Sequence, residues 1–150
     1  MTDLLALDRQ VCFAVVAASR SIVALYKPIL EPLGLTHPQY LVMLALWENS
    51  PLRVKDLGER LLLDPATLSP LLKRLEQQGL VTRARDSSDE RALALALTPA
   101  GIALRRHAEQ VPEQVIDRLG LSIGELESIR DSAAALLSAS RAAIRQSTRS

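Results

Sequence analysis

Apolar residues recur at Leu4, Leu7, Val11, Val15, Ala18, Ile22 and Leu25, the three-and-four spacing of an amphipathic helix. Tyr26-Lys27-Pro28 is expected to end it, because proline disfavours helix at the residue before it. Pro32 and Gly34 mark a turn. Thr36-His37-Pro38-Gln39 then opens a second helix, with Thr36 as N-cap, Gln39 completing a capping box and Pro38 suited to the first turn. It runs through Leu46-Trp47 to Asn49-Ser50-Pro51. A short helix around 54–61 follows. A longer one opens with Asp64 as N-cap and Pro65 at the first helical position, is held by Leu68, Leu71, Leu72 and Leu75, and closes at Gly79. Pro70 removes a backbone donor inside it, which predicts a kink or irregular first two turns.

After Gly79 the period changes from helical to alternating. Leu80 to Arg85 and Arg91 to Leu97 flank the polar Asp86-Ser87-Ser88-Asp89-Glu90, the pattern of a β-hairpin, although alanine is a poor strand former. Thr98-Pro99 opens a fifth helix, which Pro112 interrupts. Ser122-Ile123-Gly124-Glu125 is another capping box, leading into an Ala/Leu helix that runs to about Ile144. The expected fold is mainly α, about six helices plus a hairpin wing. Helix, short helix, longer helix and hairpin, in that order, describe a winged helix-turn-helix.

The composition fits. Hydrophobic residues make up 48% of 150 residues and aromatics only 3%, so the core is expected to be aliphatic and the chain helical. Apolar runs such as Leu41 to Trp47 fall far short of the roughly 18 residues of a membrane span, and Met1-Thr2-Asp3 carries no basic leader. A single cysteine fits a reducing cytoplasm. His37 and His107 make no metal-ligand spacing with Cys12 or with an acidic cluster. No phosphate loop or nucleophilic triad is present, so neither a metal, a cofactor nor an enzymatic activity is expected.

The net charge of +1 does not announce a nucleic-acid binder, so that case rests on placement. On the longer helix, Thr67 and Ser69 can bond bases or phosphates, while Lys73 and Arg74 suit phosphates. On the hairpin, Arg83, Arg85 and Arg91 flank an acidic tip. Arg91 suits the minor groove, and Asp89 would hold its guanidinium. The competing reading is a solvated helical face: from Arg53 to Arg91 eight basic residues stand against seven acidic ones.

The segments Leu57-Gly58-Glu59, Leu68 through Val81 (LSPLLKRLEQQGLV), Asp89-Glu90-Arg91 and Leu97-Thr98-Pro99-Ala100-Gly101 resemble the MarR family of winged-helix repressors along nearly the whole chain. The resemblance implies one domain over 1–150. Within it, 1–35 and 99–150 would form a helical dimerisation region and 36–98 the winged helix-turn-helix. It also implies an intertwined homodimer on a palindromic double-stranded operator. Within that family, Gln10-Val11-Cys12-Phe13, Tyr26-Lys27-Pro28 and Leu35-Thr36-His37-Pro38-Gln39-Tyr40-Leu41 resemble the organic hydroperoxide regulators. This implies that organic hydroperoxides oxidise Cys12 and that oxidation releases the operator.

Read from the residues alone, Cys12 is either a small apolar core residue or a redox thiol. A reactive thiol needs hydrogen-bond donors. Tyr26 is one candidate, but 14 residues along one straight helix is about 21 Å, beyond hydrogen-bond reach. If Tyr26 serves Cys12, it comes from the other subunit. His37 stands where related regulators carry a second tyrosine, and Val16 where some carry a third. His37 either donates a ring N–H, neutral because a helix N-terminus disfavours its charge, or merely occupies an exposed first-turn position. Tyr40 reads as core. With no second cysteine in the chain, a sulfenic acid at Cys12 is expected to react with a small thiol, cyclise onto a backbone nitrogen or overoxidise. The alternative is a repressor released by a phenolic or other apolar ligand, with Cys12 idle.

Overall fold

The computed structural model describes residues 3–85, 88 and 92–149. Asp86, Ser87, Asp89, Glu90 and Arg91, the greater part of the expected hairpin turn and its last arginine, lie outside the described residues. The chain divides into two compact units, Met1–Val111 and Pro112–Ser150.

In the first unit, a 3-10 turn at Leu7–Arg9 precedes α1 (Val11–Leu30). The helix therefore starts later than the apolar spacing suggests. The side chain of Gln10, the residue before it, donates to the carbonyl of Leu4 at 2.7 Å. Its end also differs from expectation: α1 runs through Pro28 to Leu30. Pro28 forfeits one bond in the last turns, while Ile29 and Leu30 bury fully behind it, and that burial outweighs the missing donor. A 3-10 turn at Glu31–Leu33 then closes at Gly34 in the left-handed region, φ +70°.

The caps form as read. Thr36 Oγ1 accepts from the Gln39 amide, and Gln39 Oε1 accepts from the Thr36 amide at 3.0 Å, opening α2 (His37–Glu48). Asp64 accepts from the Thr67 amide at 2.8 Å and opens α4 (Pro65–Gln77). Three bonds from the side chains of Thr36, Gln39 and Asp64 to nearby backbone amides hold these two helix starts in place, which is why they are legible without tertiary knowledge. Between them lies α3 (Val54–Leu61), ending at Leu62 with φ 59°, an unusual conformation for a branched side chain. α4 continues unbroken through Pro70, because Leu68, Leu72 and Leu75 are buried on either side of it. Gly79, φ +74°, closes the helix, and the Leu80 amide returns to the Leu75 carbonyl.

β2 (Val81–Arg85) and β3 (Leu93–Leu97) pair antiparallel, with Val81 opposite Leu97 and Arg85 opposite Leu93. A third strand, β1 (Leu52–Arg53), pairs with β3 on its other side, giving the order β1-β3-β2. No sequence signal marks β1; Leu52 finds its place only through Leu95, which is fully buried. α5 (Pro99–Ala108) starts from Thr98. Trp47 on α2 donates its indole N–H to the Gly101 carbonyl at 2.9 Å, locking α5 against α2.

The interruption at Pro112 produces a separate α6 (Val111–Leu119), so the described residues hold seven α-helices rather than about six. In the second unit, Gly120 at φ +66° follows α6, and the Ser122–Glu125 capping box opens α7 (Ile123–Ser147). α7 has no buried residue, and Ile129, Leu136, Leu137 and Ile144 stand exposed along it. α1 likewise exposes Phe13, Val15, Val16, Ile22 and Val23. The stretch Val11–Leu33 is long and apolar enough, by length and composition alone, to cross a membrane. Counting unbroken apolar runs passes over it, because Arg20 and Lys27 interrupt the run without much lowering its average hydropathy.

Candidate DNA-binding and thiol-sensing sites

α4 buries one leucine stripe and turns the opposite side outward. Thr67, Ser69, Lys73 and Arg74 are all exposed there, as a major-groove helix requires. Arg85, at the far end of β2, is exposed as well. Arg83 is differently engaged: its Nε donates to Glu76 Oε2 at 2.8 Å, tying β2 to the last turn of α4. Asp89 and Arg91, assigned to the wing tip, lie outside the described residues. Arg53, which the sequence offers only as a charge, donates to Ser88 Oγ at 3.2 Å and so joins β1 to the hairpin. With Lys55, Asp56, Glu59 and Leu93 it lines a groove of about 530 Å³.

The second group of residues gathers where α1 ends and α2 begins. The rings of Tyr26 and His37 meet edge-on, centroids 4.9 Å apart at 62°. Tyr40 packs behind them, 5.9 Å from Tyr26, and is buried as expected of a core residue. Burial pushes both phenols up from the usual tyrosine range, that of Tyr40 further through its closeness to Tyr26, so both remain protonated donors at neutral pH. Burial likewise lowers His37, which is neutral at pH 7. The neutrality matches the sequence reading, but its cause is the half-buried position rather than the helix end. Beside His37 lies a groove of about 560 Å³ walled by Val23, Ala24, Leu35 and Pro38, with Arg20 and Lys27 also lining it.

Cys12 is exposed and occupies the second position of α1, not the middle of a longer helix. Tyr26 stands on the same helix 14 residues later, about 21 Å along its axis. Tyr26 and His37 are thus brought together, while Cys12 of the same chain is kept away from both. Among the described residues, no three His, Cys, Asp or Glu side chains form a metal-binding group.

A helix-turn-helix with a paired wing, its polar recognition helix facing outward, defines a winged-helix DNA-binding regulator. The MarR family profile matches residues 35–93. The organic hydroperoxide resistance transcriptional regulator of Bacillus subtilis is 45% identical over 134 residues, 89% of either chain. AbfR of Staphylococcus epidermidis, solved reduced and bound to DNA, superposes with a TM-score of 0.79 at 36% identity, covering 92% of this chain and 94% of that one. The same protein has been solved overoxidized on DNA (TM-score 0.71, 36% identity, 88% and 93% covered). It has also been solved in a disulfide-formed state (TM-score 0.62, 36% identity, 87% and 92% covered). The PcaV regulator from Streptomyces coelicolor, in complex with its natural ligand, matches with a TM-score of 0.79 at 26% identity, over 93% of this chain and 99% of that one. The chain belongs to the MarR family. It is a winged-helix transcriptional regulator and not an enzyme.

Proposed function

We propose that this protein is a cytoplasmic repressor that binds a palindromic operator as a homodimer while Cys12 is reduced, and leaves it when an organic hydroperoxide oxidises Cys12. The observation that carries the reading is the meeting of Tyr26 and His37 beside an apolar groove, in a chain whose one cysteine is exposed on the same helix. Kinship with the Bacillus hydroperoxide regulator supports it. The exposed apolar sides of α1 and α7 support pairing of the terminal segments, 1–35 and 99–150, between two subunits around the 36–98 winged helix-turn-helix. In that dimer the partner's Tyr26 and the partner's His37 serve Cys12. The groove takes the organic part of the peroxide.

The sulfur attacks the distal peroxide oxygen, forming an S–O bond and breaking O–O. The thiolate is oxidised to the sulfenic acid, which keeps the hydrogen of the distal oxygen, and the departing alkoxide takes up a proton to become the alcohol. Tyr26, a protonated phenol, and His37, a neutral imidazole, each offer one hydrogen to the oxygen carrying the developing charge. A small thiol then attacks the sulfenic acid, giving a mixed disulfide and water. Operator contacts come from Thr67, Ser69, Lys73 and Arg74 of α4 and from Arg85, Asp89 and Arg91 of the wing, with Arg83 held at the edge of that surface by Glu76.

A gel-shift titration with cumene hydroperoxide, read together with mass spectrometry of Cys12, tests this. Wild type is expected to leave the operator after about one equivalent per subunit, whereas Cys12→Ser stays bound. Release of the serine variant overturns the thiol reading. The oxidation product must be followed, because the overoxidized relative is found on DNA. The second reading is a repressor released by a phenolic or other apolar ligand seated in the same groove; PcaV with its natural ligand favours it. It predicts release of Cys12→Ser by ligand alone.

A further inference from the structure

We infer that Gln78 is a positioning residue that couples the Tyr26–His37 end of the sensor to the recognition helix. The inference rests on the redox reading above and names the link through which oxidation would reach DNA.

Gln78 is the C-terminal cap of α4, but only its backbone is needed for that: its amide donates to the Arg74 carbonyl at 2.9 Å. Its side chain turns elsewhere. Nε2 donates to the Gly34 carbonyl at 2.7 Å, and Oε1 accepts from Gln39 Nε2 at 3.4 Å. Gln39 is itself 3% exposed and holds the Thr36 amide through Oε1 at 3.0 Å. The two residues that Gln78 touches thus bracket His37, Gly34 three positions before it and Gln39 two positions after. One exposed amide fastens the end of α4 to the turn that follows α1 and to the first turn of α2.

An amide side chain is suited to this because it donates and accepts at once, here to a backbone carbonyl and to another amide. The chain of bonds Thr36–Gln39–Gln78–Gly34 is closed: its partners are fixed by a capping box on one side and by a left-handed glycine on the other. A displacement of Tyr26 or His37 by an oxidised sulfur moves the start of α2, and Gly34 and Gln39 move with it. Gln78 carries that movement to the last turn of α4, whose opposite side bears Ser69 and Lys73. Small shifts of packed elements of this kind are a common form of switching.

The test compares wild type, Cys12→Ser, Gln78→Met and Gln78→Glu for operator affinity, reduced and after one equivalent of cumene hydroperoxide, with a thermal melt of each. Gln78→Met keeps the length of the side chain and removes both bonds at an exposed site. It is expected to melt near wild type and to bind the operator within about threefold of wild type when reduced. Its ratio of reduced to oxidised affinity is expected to fall about fivefold or more. Gln78→Glu, which can still accept from Gln39 but cannot donate to Gly34, is expected to shrink the ratio in the same direction. A wild-type ratio in both variants overturns the role of Gln78, as does an equal loss of affinity in both redox states. Wild type that stays on the operator after oxidation overturns the sensing reading first, and this role with it.

Discussion

Tyr26 and His37 stand ring against ring, 4.9 Å between centroids, although eleven residues and a change of helix separate them in the chain. Tyr26→Phe keeps that contact and removes only the hydroxyl. Losing a hydrogen bond to a charged group is expected to slow oxidation of Cys12 by cumene hydroperoxide roughly 10- to 100-fold, with operator affinity of the reduced protein unchanged. Stopped-flow loss of free thiol measures it. A variant that reacts at the wild-type rate shows that the phenol does not serve the sulfur.

His37 gives the fold a pH dependence of defined sign. Burial lowers its folded value below the ordinary 6.5, so the unfolded chain takes up a proton that the folded one refuses. The stabilisation from the neutral ring is complete above 6.5 and is lost as pH falls from there through the lowered folded value. Denaturant titrations between pH 5 and 8 are expected to show wild type losing stability on the acid side, with the slope reduced in His37→Gln. Parallel curves for the two proteins rule this out.

Arg83 and Arg85 lie on one strand and are expected to answer salt differently. Arg85→Ala removes a candidate phosphate contact and is expected to lower the slope of log affinity against log salt by about one. Arg83 is held by Glu76, so Arg83→Ala leaves the slope in place and costs stability of at most about 1 kcal/mol, its pair being partly exposed. Equal loss of slope in both variants would put Arg83 on the DNA as well.

Gly101 has no room for a side chain. A Cβ there would come within 2.2 Å of the Leu80 carbonyl oxygen, a backbone atom that cannot swing aside. Gly101→Ala is expected to cost about 1–3 kcal/mol in urea unfolding. It should also shift the emission of Trp47, the single tryptophan, whose indole N–H rests on the Gly101 carbonyl. Wild-type stability in this variant contradicts the packing of α5 on the β2 approach.

What could be read in advance follows the range of the forces involved. Thr36, Asp64, Thr98 and Ser122 act on amides three residues away, so a short window of sequence contains the whole interaction. Gly79 and the alternation of Leu93, Leu95 and Leu97 are local in the same sense. β1 is not: two residues become a strand only because β3 lies beside them. Pro28 misleads for a similar reason, since the burial of Ile29 and Leu30 that carries α1 past it is a tertiary fact. Of the site, the spacing alone separates Cys12 from Tyr26. The meeting of Tyr26 with His37, the pairing of Arg83 with Glu76 and the amide bridge through Gln78 all depend on how distant segments pack.

The span of α1 has a genetic consequence. Cys12 is the second residue of that helix and Tyr26 lies near its other end, about 21 Å away, so in the proposed dimer each complete site would draw its sulfur from one chain and its phenol from the other. Two defective alleles can then repair one another. In a mixed dimer of Cys12→Ser with Tyr26→Phe, one site combines the surviving sulfur with the surviving phenol, and the other lacks both. With random pairing about half of the dimers are mixed, so a cell carrying the two copies regains about a quarter of its sites, a complementation written into the length of one helix.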